Sequence, residues 1–178
     1  MLKKVFEFRY EIFLEIYPEY LQSLKLGSKE EQDKYDRYAI HYAALDENNE
    51  ICATVRLIYN SPFGYPTENY MKVDNDNFER DKLGEISRIF IDPKYRRIST
   101  SKVIIYNFIE MIYEKMLLLG IEYTYGSLES NFLRLLRIYK FNYITIGDEQ
   151  VHKYFGLRYP CILHTDQITL KNKSLKKQ

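Results

Sequence analysis

The sequence predicts an α/β (α+β) fold: a mixed central sheet with helices on both faces. Two observations carry this. An apolar hairpin pattern lies near residue 50, and strand-like and helix-like stretches then alternate to residue 139. A third observation concerns function. The strand-like run Glu85-Ile86-Ser87-Arg88-Ile89-Phe90-Ile91 carries a carboxylate and a guanidinium among apolar neighbours. A charge buried in a sheet costs several kcal/mol, roughly, unless it is paired or used.

The elements follow in order. Val5 to Leu26 reads as an amphipathic helix or a broken pair, with Phe6, Tyr10, Phe13, Ile16 and Tyr17 at three- and four-residue spacing and Pro18 as the break. Gly27 and Ser28 stop it, and Lys29 to Arg37 reads as a charged loop or solvated turn. Tyr38–Leu45 and Ile51–Tyr59 read as a hairpin around the turn residues Asp46 to Asn49. Asn60 to Arg80 is a long connection, with a short helix expected near Asn75 to Arg80. The third strand is Glu85–Ile91. Ser99–Leu119 is the clearest helix, with Ile105, Phe108, Ile112, Met116 and Leu119 on one face and Gly120 at its end. Ile121–Gly126 reads as a strand and Glu129–Tyr139 as a helix. Tyr143–Gly147, Val151–Phe155 and Cys161–His164 read as short closing strands. No repeat or linker interrupts residues 1–170, which read as one domain, and the basic stretch 171–178 is expected to fray.

Composition bounds the function. The chain has 178 residues, enough for one substantial core, and 46% are hydrophobic. A net charge of +1 implies no strong field toward nucleic acid or membrane. Aromatic residues make up 16%, with 18 Tyr and no Trp, which fits a ring-lined core or tunnel. Cys52 and Cys161 form neither a disulfide framework nor a metal pattern, as expected of a protein in a reducing cytoplasm. His41, His152 and His164 have no metal-ligand spacing, so no metal site is expected. Glu7, Arg9 and Glu11 interrupt any signal-like apolar segment, and no apolar run is long enough to span a bilayer.

Arg9, Asp33, Asp36, Arg56, Glu85 and Arg88 amount to three carboxylates and three guanidiniums. Brought together, they balance, and such a network could hold both the ammonium and the carboxylate of an amino-acid-like acceptor. The motifs are Arg9 with Phe13 four residues on, Glu31-Gln32-Asp33-Lys34-Tyr35-Asp36, Arg56-Leu57 late in the second strand, and Glu85-Ile86-Ser87-Arg88 on the third. In this order they resemble the acyl-homoserine-lactone (autoinducer) synthases and the N-acyl amino acid synthases, both built on the GNAT acyltransferase fold. The stretch His152-Lys153-Tyr154-Phe155-Gly156-Leu157-Arg158-Tyr159-Pro160 is more similar to the second group.

The resemblance implies an N-acyltransferase that moves a fatty acyl group from acyl carrier protein or acyl-CoA to an amino acid or S-adenosylmethionine. In the latter case the product would be a quorum-sensing type of signal. No tightly bound cofactor is implied. Glu85 is the candidate base, directly or through one water, with Ser87 and Arg88 orienting groups beside it. Arg9, Phe13, Asp33, Asp36 and Arg56 are the candidate acceptor site. Backbone N–H groups at a bulge around Ile89, Phe90 and Ile91 are the candidate oxyanion donors.

Acetyl-CoA enzymes of this fold cradle pyrophosphate with Gln/Arg-x-x-Gly-x-Gly/Ala before the long helix. Here Arg96-Arg97-Ile98-Ser99-Thr100-Ser101 keeps the Arg and has Ser at both Gly positions. That departure favours the single phosphate of acyl carrier protein, with Lys94, Arg96, Arg97 and Lys102 as a basic rim for that acidic partner. Phe8, Phe13, Phe108, Ile112 and Leu135 are candidate lining for an acyl tunnel. An acetyl-CoA-dependent enzyme acting on a small amine or a protein, and a non-catalytic binding module, are the alternatives. In the acetyltransferases a Tyr after the last helix often serves as general acid; Tyr139 lies one position from the matching place and reads as core.

Overall fold

Pro18 stands at the first position of a second helix, so the N-terminal apolar stretch divides into α1 (Leu2–Ile16) and α2 (Pro18–Leu24). The structure, a computed structural model, describes residues 1–74 and 77–168. α1 buries Val5, Phe6, Phe8, Ile12 and Phe13, together with Arg9. The hairpin pairs β1 (Ala39–Leu45) with β2 (Ile51–Tyr59). In its turn the Asp46 side chain accepts from the N–H groups of Asn48 and Glu50, the local bonding that favours Asp there.

A five-residue helix, α3 (Pro66–Tyr70), precedes β3 (Leu83–Ile91). The expected helix near residues 75–80 falls partly on residues 75 and 76, outside the described residues. A 3₁₀ turn occupies Arg80–Lys82. α3 is too short to show periodicity, and its sign in the sequence is capping chemistry: Pro66 at N1 and Glu68 reaching back to the Tyr65 N–H at 2.8 Å.

α4 (Ile98–Leu119) ends at Gly120, whose φ of +69° is the left-handed conformation glycine adopts freely. The Ile121 N–H bonds back to the Met116 carbonyl, so Ile121 belongs to the helix end, and β4 runs Tyr123–Leu128 instead of beginning at residue 121. α5 (Ser130–Ile138) follows, then β5 (Ile144–Thr145), β6 (Gln150–His152) and β7 (Gly156–His164). β6 is shorter than expected because Lys153 to Phe155 form the turn, where the Tyr154 N–H meets His152 Nδ1. β7 starts five residues earlier than expected. The stretch 171–178, expected to fray, lies outside the described residues.

The sheet order is β1-β2-β3-β4-β7-β5, with β6 also on β7. Among the described residues only β3 and β4 are parallel, and they pair over Leu83–Glu85 and Tyr123–Tyr125. Beyond Glu85 the two strands part. Alternation sends Val55, Leu57, Ile86, Cys161 and Leu163 to one face, against Ile105, Phe108, Ile112 and Met116 of α4 and Leu136 of α5. Ile58, Leu83, Tyr125 and Ile162 take the other face, against Tyr35 and Tyr65. This is the mixed sheet with helices on both faces that the sequence predicts.

Candidate active site

The charged loop 29–37 is the main departure from expectation, because much of it is buried. Glu31 and Tyr35 are at most 1% exposed and Asp36 is 8% exposed. Three arginines from three separate elements draw it inward. Arg9 of α1 donates through Nε to Glu31 and through Nη1 and Nη2 to the two oxygens of Asp36, at 2.8 and 3.1 Å. Arg56 of β2 reaches Asp33 at 2.7 Å, Asp36 at 2.8 Å and Ser87 Oγ at 3.1 Å. Arg88 of β3 donates through Nη2 to Glu31 at 2.9 Å, Asp33 at 3.0 Å and Tyr20 Oη at 2.7 Å. Its guanidinium lies over the rings of Phe13 and Tyr20.

The network balances three guanidiniums against three carboxylates, and the third carboxylate is Glu31. Of the six charges singled out in the sequence, Arg9, Asp33, Asp36, Arg56 and Arg88 meet, and Glu85 stands apart. Burial works to raise the Glu31 and Asp36 pKa values. The arginines outweigh it and hold both below the usual carboxylate range, with Arg88 and Arg9 acting on Glu31 and Arg56 and Arg9 on Asp36.

Glu85 is 1% exposed, and among the described residues it forms no ion pair. The Thr67 N–H, in α3, donates to its Oε2 at 2.9 Å. Burial pushes its pKa up to about 7, against the Thr67 hydrogen bond and the Arg56 charge. A carboxyl so tuned can take up or release a proton near neutrality.

The backbone beside it is irregular. Thr54 opposes Phe90 and Arg56 opposes Ser87, so β3 carries one more residue than β2 between those pairs. Arg88 takes a φ of +53°, in the left-handed region that costs a non-glycine residue about 1–2 kcal/mol. This β-bulge turns the Arg88 side chain onto the acidic loop and leaves the β3 edge from Ile86 to Ile91 along the gap where β4 has parted.

A cavity of about 980 Å³ occupies that gap. Glu85, Ser87, Arg88, Asp33, Tyr20 and Phe13 form its polar end, with His152, Tyr154 and Phe155 of the β6–β7 turn across from them. Ile89, Phe90, Ile91, Ile105, Leu128, Phe132 and Leu135 form an apolar arm. Ser101 and Arg96 stand at the α4 end, where Arg96 Nε donates to the Ile91 carbonyl at 2.8 Å.

Of the acceptor-site candidates, Phe13 and Asp33 line the cavity; Arg9, Asp36 and Arg56 lie behind its wall, where both arginines donate to the Asp36 carboxylate. Of the donor-site candidates, Ile89, Phe90, Ile91, Arg96 and Ser101 line it, and Arg97 and Ser99 are exposed outside it. Of the tunnel candidates, Phe13 and Leu135 line it. Phe8 is buried away from it, and Phe108 and Ile112 pack in the α4 core. Tyr139 is buried in that core as well. Tyr20 and Thr67 were not singled out in the sequence, since neither breaks a pattern there. Glu31 opens the acidic motif that the sequence does display.

A family model described as an acetyltransferase (GNAT) domain matches residues 8–105. No curated protein matches the sequence significantly. Among solved structures the chain is similar to TofI, captured in a ternary complex with an inhibitor and MTA: 16% identity over 92% of this chain and 84% of that one, TM-score 0.69. It is similar to BjaI, a CoA-dependent acyl-homoserine lactone synthase with SAM and isopentyl-CoA: 17% identity over 92% and 75%, TM-score 0.69. FeeM, an N-acyl amino acid synthase from uncultured soil microbes, aligns at 14% identity over 72% and 69%, TM-score 0.59. At these identities the likeness is one of fold.

Proposed function

This chain belongs to the GNAT acetyltransferase domain family and is an acyltransferase; on that premise we propose that it moves a fatty acyl group from acyl carrier protein or acyl-CoA to the amine of an amino acid or S-adenosylmethionine. The observation that carries this reading is the continuity of one cavity from buried Glu85 to an apolar arm between β3, β4 and α5. An acetyl group would leave most of that arm unfilled, and unfilled apolar volume favours a longer chain.

The acyl chain lies along Ile89, Leu128, Phe132 and Leu135, with the thioester carbonyl beside the β3 bulge. Glu85 accepts a proton from the acceptor amine, directly or through one water. The nitrogen lone pair attacks the carbonyl carbon, and backbone N–H groups of the bulge meet the oxyanion. Collapse of the tetrahedral intermediate breaks the C–S bond, and the proton held by Glu85 passes, directly or through the same water, to the departing thiolate, which leaves as the pantetheine thiol and returns Glu85 to its carboxylate form. A base titrating near 7 is unprotonated often enough to act and basic enough to accept.

The arginine–carboxylate network serves as scaffold: its guanidiniums bond mainly to its own carboxylates, and it fixes Asp33, Arg88 and Tyr20 at the cavity wall. Asp33 is the network carboxylate with the most exposed side chain, 15%, and it suits the acceptor's ammonium. The exposed Lys94, Arg96, Arg97 and Lys102 surround the α4 end and suit an acidic carrier protein.

Mass spectrometry of lipids from cells expressing the chain, beside Glu85→Gln, tests the reading. An N-acylated product from the parent alone is expected. No such product, or the same product from both proteins, would overturn it.

A further inference from the structure

The cavity wall holds a buried arginine outside the network. Arg158 of β7 is 8% exposed and lines the cavity. Its Nη2 donates to Tyr17 Oη at 2.8 Å, and its Nη1 meets Glu129 at 2.5 Å. Glu129 has a side chain 50% exposed, unlike the carboxylates that hold Arg9, Arg56 and Arg88, which are at most 15% exposed. Burial holds the Arg158 guanidinium below its ordinary pKa, and Tyr17 only partly offsets this. Arg158 is thus a desolvated cation whose one carboxylate partner among the described residues can be released to water.

Its position relative to Glu85 follows from register. Glu85 pairs with Tyr125, and Tyr125 pairs with Ile162. Arg158 lies four residues from Ile162 along β7, so it projects from the same sheet face, two strands away and roughly 13 Å along. Glu85 and Arg158 thus stand at two separate points on the wall of one cavity. Phe13, Tyr17, Tyr20 and Phe155 form an aromatic cluster beside them.

We infer that Arg158 anchors the carboxylate of the acceptor, a group that an amino acid and S-adenosylmethionine both carry, and that the aromatic cluster beside it selects an amino acid with an aromatic or large apolar side chain. This rests on the acyltransferase reading above and narrows it. The incoming carboxylate replaces Glu129 on the guanidinium fork, and Glu129 turns to solvent. Charge-assisted, bidentate pairing of this kind is the geometry for which arginine is suited.

The test uses two probes that differ only by the carboxylate, N-dodecanoyl-phenylalanine and N-dodecanoyl-phenethylamine, with binding to the full chain measured by calorimetry. The parent is expected to prefer the acid by about tenfold or more. Arg158→Gln should bring the two affinities together, and Arg158→Lys should keep part of the preference. Glu129→Ala removes the competing carboxylate at a half-exposed site and should tighten binding of the acid alone, which keeps the test decisive if the Arg158 variants fold poorly. Equal affinity of the parent for both probes, or a preference that survives in Arg158→Gln, overturns the inference. Because it reads binding, the result is independent of turnover. Cells that make N-acyl products while the parent shows no acid preference would retain the transferase reading and defeat the anchor. A preference for the acid in a protein that makes no product would do the reverse.

Discussion

Glu85→Gln separates the physical basis of the mechanism from its outcome, because the same burial that tunes the base should burden the fold. The glutamate's pKa rises from 4.5 to about 7 on folding. The sign is fixed: between those values the folded chain holds a proton that the unfolded chain has lost, so stability falls as pH rises through that window and stays reduced above it. Each tenfold step in proton affinity is worth ~1.4 kcal/mol, so the ionised, buried carboxylate costs about 3 kcal/mol at pH 8. Glutamine keeps the shape, and its Oε1 can still accept from the Thr67 N–H, but it carries no charge. Urea unfolding of the two proteins at about pH 5 and pH 8 is the assay. The variant should match the parent at the lower pH and exceed it at the higher, by a midpoint shift of about 1–2 M if the urea slope is near 2 kcal/mol/M. Burial lowers the pKa values of His41 and His152, so they tilt stability the opposite way over part of this range. They are common to both proteins, and the difference isolates Glu85. A variant no more stable at pH 8 than at pH 5, relative to the parent, would refute the claim that Glu85 is held in a site hostile to its charge, and the general-base assignment would lose its physical support.

Other consequences follow from the same site. Asp36→Ala strands parts of Arg9 and Arg56 in the interior and should destabilise by about 3–5 kcal/mol, read by denaturant unfolding. Arg56→Met alone should cost a similar amount, and the two together less than their sum, because the double variant leaves fewer orphaned charges. Glu31, Asp33 and Asp36 all titrate below their ordinary values of 4.5, 3.8 and 3.8. Their stabilisation is therefore complete above about pH 5 and lost as pH falls below about 4, which circular dichroism during acid titration would detect. Phe132→Ala lengthens the apolar arm and should shift the N-acyl products toward longer chains by mass spectrometry, with total yield largely kept. Lys94→Glu with Arg97→Glu, both exposed outside the cavity, should raise KM for an acyl carrier protein donor several-fold and leave a short acyl-pantetheine donor unaffected, which decides between carrier and free thioester.

Local signals made the fold legible: the Ile51–Tyr59 strand, the Pro18 break, the long helix with Gly120 at its end and the Asp46 turn each carry their cause within a few residues. The errors cluster where the cause is distant. Lys29 to Arg37 has the composition of a solvated turn, and it is the order of the charged motifs along the whole chain, not the loop's own residues, that points to Arg9, Arg56 and Arg88 across the fold. The two-residue β5 and three-residue β6 exist because β7 offers an edge, and α3 because Pro66 and Glu68 cap a helix too short for periodicity. Phe108 and Ile112 on α4 have the same apolar character as Phe132 and Leu135, and only the parting of β3 from β4 decides which pair lines the large cavity.

Arg88 shows why the site could be glimpsed in the sequence and still be wrongly partitioned. A strand that carries Glu85 and Arg88 among isoleucines has to satisfy both charges, and the simplest expectation joins them. Three residues apart on an ideal strand, however, they face opposite sides of the sheet. The bulge at Arg88 removes that parity: with a left-handed φ and one extra residue, both side chains reach the same cavity. The Arg88 guanidinium turns its Nε and Nη2 to Glu31, Asp33 and Tyr20, and among the described residues none of its hydrogen bonds reaches Glu85. The strain of about 1–2 kcal/mol at Arg88 therefore accomplishes two things together. It neutralises the arginine against a buried acidic loop, and it keeps the neighbouring carboxylate unpaired and weakly acidic, the condition a base working near neutral pH requires.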